Sequence, residues 1–226
     1  MERLPTRSAR RKGVGQPRIP TLRAEGAAAE LLLRSRRLPR HAQSERRAHR
    51  SVRRSHPSAP PGDPPFKLWA NVDYAGTFGA TATLNIWFGV GAPIGRFVVP
   101  ESDDPGRRDE LWHTTCLEAF LRAGDDTAYR EWNFAPSGDW AAYDFSVYRE
   151  GMAEAPVAEP PYVRVEDNLT WWSLGATIAL PAGRHWALGL AAVLEEQDGR
   201  KSYWALAHGG EKPDFHDPAC FTAALA

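Results

Sequence analysis

An all-β sandwich is the fold class this sequence predicts, and three observations lead to it. Short stretches alternate apolar and polar residues with a period of two. Clusters of Gly, Pro, Asp and Ser separate these stretches at regular spacing, as in sheets built from consecutive hairpins. No long stretch carries the period of an amphipathic helix. The 226-residue chain also has a composition break near residue 60. It therefore divides into a basic extension, residues 1–55, and a folded domain, residues 56–226.

The net charge of zero hides a division. Residues 1–66 hold 16 Lys and Arg against 5 Asp and Glu, a net of +11, and the remainder holds 12 against 23, a net of −11. Arg, Pro, Ser and Ala dominate the extension and large apolar side chains are sparse, so it is predicted to be disordered, with one short helix at best over Ala24–Arg37. No aromatic residue accompanies its arginines before Phe66 and no recognition motif is present, so no nucleic-acid partner is expected. A start assigned too early would give the same pattern, with Val52 as the candidate true start. No run approaches the roughly 18 apolar residues of a membrane span. Ala27–Leu33 is too short, and too interrupted by Glu30, for a signal-peptide core. The expected compartment is the cytoplasm. The two cysteines, Cys116 and Cys220, are too few for a disulfide framework and are expected as reduced, buried thiols.

After the Pro-rich segment Ser55–Pro65, Phe66–Val72 alternates as a first strand. Ala80–Phe88 is a second, with Ala82, Leu84, Ile86 and Phe88 on one face and Thr81, Thr83, Asn85 and Trp87 on the other. Arg96–Val99 reads as a short third strand. From Trp112, one face carries Trp112, Thr114, Cys116, Glu118, Phe120 and Arg122, and the other His113, Thr115, Leu117, Ala119 and Leu121. Tyr129, Glu131, Asn133 and Ala135 then alternate with Arg130, Trp132 and Phe134, and Pro136–Asp139 is a turn with Gly138 at positive φ. Trp140–Tyr148 is the next strand. Tyr162–Val165, Leu169–Leu180, His185–Leu194 and Ser202–Ala207 follow, the last two joined by the Gln197–Arg200 turn, and Ala219–Leu225 closes the chain.

Several of these stretches together resemble a known family. Arg108-Asp109-Glu110-Leu111-Trp112, Thr115–Phe120, Glu131–Trp140, Tyr203–His208 and Pro213–His216 look like the DOMON-like domains of bacteria, which are related to family 9 carbohydrate-binding modules. The likeness covers about His56 to the C-terminus. It implies an immunoglobulin-like or jelly-roll β-sandwich that binds a sugar or, in some relatives, haem.

Carbohydrate sites pair flat aromatic rings, which meet the C–H faces of a sugar, with polar side chains that bond its hydroxyls. The residue types for both roles concentrate between Asp109 and Arg149. The candidate binding set is Trp112, Glu118, Trp132, Asn133, Trp140, Arg149, Trp204 and His208. The competing reading places the tryptophans in the core and pairs Glu118 with Arg130 or Arg149. Glu118 with Glu131 also has the composition of a two-carboxylate hydrolase, but a non-catalytic sandwich binding a small carbohydrate is the leading expectation, with no cofactor. The alternatives are a haem- or metal-binding electron-transfer domain, with haem held by Met152 and a histidine or zinc by His113 and Cys116 with His208, His216 and Cys220 downstream, and a structural or protein-interaction sandwich.

Overall fold

The computed structural model describes residues 66–75, 80–210 and 212–225. The expectations for the basic extension, its short helix and the start at Val52 lie outside the described residues. The described chain is the all-β sandwich the alternation predicts, without an α-helix among the described residues. Its strands are β1 (Leu68–Ala75), β2 (Thr81–Val90), β3 (Cys116–Ala123), β4 (Tyr129–Phe134), β5 (Trp140–Phe145), β6 (Ala153–Glu154), β7 (Tyr162–Asp167), β8 (Trp172–Pro181), β9 (Trp186–Glu195), β10 (Lys201–Ala205) and β11 (Ala223–Leu225).

Two antiparallel sheets form. The smaller has the order β1-β2-β8-β7, and the larger β10-β9-β3-β4-β5-β6, with β11 also pairing β9. The chain crosses between the sheets after β2, β6 and β8. Register is set by which residues must leave water, because a slip of one position would turn every apolar side chain outward. The inward set includes Leu84, Ile86 and Phe88 from β2, Leu174 and Ile178 from β8, Leu117 and Leu121 from β3, and Leu188 and Leu190 from β9. Each such side chain contributes about 1.5–3 kcal/mol on burial.

Three local expectations change. Arg96–Val99 is not a strand: Pro93 and Gly95 favour a turn, so Ile94–Arg96 forms one turn of 3-10 helix and Phe97 makes only an isolated bridge to Glu196. Arg96 Nε donates to Glu196 at 2.6 Å there. The strand expected from Trp112 starts only at Cys116, because Glu110 adopts φ 60° and Leu111–His113 coil into a 3-10 turn. The strand from Trp140 stops at Phe145, and Val147–Glu150 turns back with Arg149 at φ 57°. The Pro136–Asp139 turn forms as expected, with Gly138 at φ 91° and its N–H on Ala135 O at 3.0 Å.

Candidate functional site

The larger sheet has an outer face as well as the inner one, and its composition is unusual. Register aligns Ala205 of β10, Ala191 of β9, Glu118 of β3, Asn133 of β4 and Ala141 of β5 in one row across five strands. Three alanines keep the floor low on both sides of a carboxyl and an amide. The next row holds Gly189, Phe120, Glu131, Tyr143 and Glu154. A second apolar cluster covers part of this face. Phe215, Cys220 and Phe221 from the C-terminal segment pack on Phe120, Tyr129 and Phe145, while Leu111 and Trp112 pack against the same cluster.

Beneath that cover lies a polar network. Asn133 Nδ2 donates to Glu131 Oε1 at 2.7 Å, and Cys116 Sγ lies 3.4 Å from Asn133 Oδ1. The Arg149 N–H donates to Tyr129 Oη at 3.2 Å, and Tyr129 Oη lies 2.7 Å from His216 Nδ1. Burial, reinforced by the Arg149 guanidinium, pulls the His216 pKa down to about 4, so the imidazole is neutral at pH 7. Its Nε2 lies 3.7 Å from Glu131 Oε2, which is an approach between a neutral ring and a carboxyl rather than an ion pair.

Both acids at the floor resist ionisation. Burial raises Glu131 to about 7, against the opposing pull of the Asn133 bond and Arg149. Burial and then the neighbouring Glu131 hold Glu118 well above the usual carboxylate range. Burial and the Glu118 charge likewise push the Cys116 thiol up. The partners foreseen for Glu118 are engaged elsewhere: Arg130 forms a two-pronged pair with Asp144 at 2.7 and 2.8 Å, and Arg149 binds Asp214 at 2.8 Å.

Where the row ends at β5, the face opens into a cleft of about 490 Å³. Ala141 and Tyr143 form its floor, Arg107, Arg108 and Asp109 one wall, and Met152, Ala153 and Glu154 the other. Tyr143 donates its hydroxyl to Asp109. Burial, followed by this bond, raises the phenol pKa, so Tyr143 stays protonated. Arg107 ties the two walls together: Nη1 meets Glu154 at 2.8 Å, and Nη2 donates to Ala142 O and Ala155 O at 2.8 and 2.7 Å. Two guanidinium-bearing residues, two carboxylates and a phenol thus surround an apolar floor.

The structure separates the eight expected binding residues. Trp132, Trp140 and Trp204 are buried between the sheets, with Trp132 and Trp140 ring centroids 6.0 Å apart and Trp204 5.6 Å from Phe66. Their rings belong to the core and offer no stacking platform. The reason is the pleat: Trp132 and Asn133 are adjacent on one strand and cannot face the same ligand. Glu118 and Asn133 do share the outer face, as buried floor. Trp112 stands half-buried beside the cleft, edge-on to Tyr143 at 5.6 Å. Arg149 lies in its turn, half-exposed and bound to Asp214. His208 is half-buried, 6.4 Å from the Phe215 ring.

The cleft walls escaped the sequence reading because they come from loops and a two-residue strand, where no period marks a face. The one available signal was the packing of arginine and acid into Arg107-Arg108-Asp109, followed across the sheet by Met152 and Glu154. Met152 is 48% exposed and no histidine lines the cleft, so the residues present do not fit haem held between methionine and histidine. Among the described residues, no group of three or more His, Cys, Asp and Glu is arranged to hold a metal ion.

No family model matches the chain, and no curated protein matches it. The comparisons do not show the DOMON-like family for this chain. The chain is similar to three solved structures. One is a candidate carbohydrate-binding protein from Bacteroides uniformis ATCC 8492, at 15% identity and a TM-score of 0.49, covering 77% of this chain and 84% of that one. The others are of a family 9 carbohydrate-binding module from Caldicellulosiruptor kristjanssonii. The complex with cellotriose has 13% identity and a TM-score of 0.42, covering 71% of this chain and 73% of that one. The complex with glucose has 12% identity and a TM-score of 0.45, covering 78% and 82%.

Proposed function

We propose that this protein is a non-catalytic sandwich that binds a small carbohydrate, or a similarly polyhydroxylated molecule, in the cleft on the outer face of its larger sheet. The observation that carries the reading is the cleft's lining. A volume of about 490 Å³ falls within the range of small-molecule sites, roughly 300–1,000 Å³. Its Ala141 floor and the Tyr143 ring suit the C–H face of a sugar. Asp109, Glu154, Arg107 and Arg108 supply acceptors and donors for the hydroxyl rim. Trp112 is the aromatic residue of the expected set that packs edge-on against the cleft's Tyr143.

Calorimetric or NMR titration with a panel of mono- and disaccharides tests the reading. Saturable binding should be lost in Asp109→Ala and weakened in Tyr143→Phe, which removes the hydroxyl that Asp109 accepts. No saturable binding across the panel, or equal binding by both variants, would refute the cleft as a sugar site.

A further inference from the structure

The outer face of the smaller sheet, on the far side of the sandwich from the cleft, carries a second set of tryptophans. Trp69 of β1, Trp87 of β2 and Trp171, just before β8, share that face by alternation with the buried Leu68, Phe88 and Trp172. Trp87 is 44% exposed and Trp171 36%, while Trp69 is half-buried. Single exposed tryptophans need no explanation, but three on one face do.

Glycines explain how the rings lie. A Cβ at Gly89 would overlap Cε2, Cζ2 and Nε1 of Trp69, and one at Gly91 would come within 3.8 Å of Cζ3 of the same indole. One ring touching two glycines two positions apart lies lengthwise along β2. A Cβ at Gly175 would sit 3.0 Å from Trp87 Nε1 and 3.1 Å from Cδ1, so that indole leans across β8. Glycine inside a strand weakens it and marks a place where another group approaches closely. Here the approaching groups are the two indoles, laid against the sheet with their other sides turned outward. Trp171 is fixed by the turn before it, where Asn168 Oδ1 accepts from Thr170 N at 2.8 Å and Trp171 N at 3.0 Å.

The spaces around the rings are polar. Asn71 pairs across from Trp87, Asn85 accepts from Thr177 Oγ1 at 2.8 Å, and Arg164 and Glu166 on β7 form an ion pair at 2.6 Å. From Gly89 on β2, and Gly91 just beyond its end, to Gly175 on β8 is one strand across and two to four residues along, which puts the Trp69 and Trp87 rings roughly 8–14 Å apart. That span suits every second ring of a β-1,4-linked hexose chain, the rings that turn the same face to a flat surface.

We propose that the Trp69–Trp87–Trp171 face is a second binding surface, for an extended β-1,4-linked glycan chain. It is separate from the cleft and stands whether or not the cleft takes a small sugar. The full-length protein would be tested by depletion onto amorphous cellulose and by affinity electrophoresis in soluble mixed-linkage β-glucan. Trp87→Ala and Trp171→Ala should each weaken retention about tenfold, with melting temperatures unchanged because both rings are partly exposed. Failure of the parent to bind either glycan, or equal retention of the tryptophan variants, overturns the proposal. So does a parent dimer, seen by light scattering, that Trp87→Ala dissociates, since the face would then join two copies. Loss of small-sugar titration with glycan retention intact would refute the cleft reading alone.

Discussion

Replacing Glu131 by Gln isolates the cost of keeping a carboxyl in the floor of the larger sheet. Gln is nearly isosteric and its amide oxygen still accepts from Asn133 Nδ2, which lies 2.7 Å from Glu131 Oε1. In the folded chain Glu131 is raised from its ordinary 4.5 to about 7, mainly by burial. The folded state therefore holds this proton over a pH range in which the unfolded chain has released it. The stability contributed by the protonated acid is complete below about pH 4.5 and is lost as pH rises through about 7. At about 1.4 kcal/mol for each pKa unit, the loss is on the order of 3 kcal/mol. Glu118 acts in the same direction, since burial and then Glu131 raise it too.

His216 works in the opposite window. Its folded value of about 4 lies below the ordinary 6.5, so its neutral form contributes stability that is present above 6.5 and lost as pH falls through 4. The pH dependence of the parent alone mixes these effects. Subtracting parent from variant removes what the two share and leaves the contribution of Glu131 together with its coupling to His216, 3.7 Å away, and to Glu118. Urea unfolding from about pH 4.5 to about pH 8 should show Glu131→Gln gaining about 3 kcal/mol relative to the parent across that range. A difference that stays flat with pH would refute the buried, protonated Glu131.

Two further outcomes follow from the packing around this face. Gly138→Val should cost about 1–3 kcal/mol, read as a fall in melting temperature, because φ there is 91° and a Cβ would lie 3.1 Å from Pro105 Cβ; an unchanged melting temperature would contradict the turn geometry. Neither Cys116 nor Cys220 should react with a chromogenic disulfide reagent in the native protein, since both thiols are buried and raised by burial. Labelling faster than global unfolding at either position would show that the cover over the larger sheet opens.

Alternation made the fold legible because it states which residues share a face. Ala82, Leu84, Ile86 and Phe88 separate from Thr81, Thr83, Asn85 and Trp87 in the chain as they do in the sheet. Alternation does not state which face meets the other sheet. Burial makes that choice, and it depends on strands far away in sequence. In β4 the face that meets the core is the one with Trp132 and Phe134, so Glu131 and Asn133 are left to the outer face. In β2 the buried face is the aliphatic one, and Trp87 stays outside. Counting tryptophans thus located the aromatic-rich stretch but not an aromatic surface. The better sequence signal was glycine. Gly89 and Gly175 interrupt strands that otherwise favour bulky residues, and each lies beneath a tryptophan of the neighbouring strand. That pairing exists only once register is known, because Trp69 lies opposite Gly89 and Trp87 opposite Gly175 through pairings between strands, not through nearness in the chain. A tryptophan with a glycine across from it can lie down on the sheet; one opposite another large side chain must stand up or turn inward.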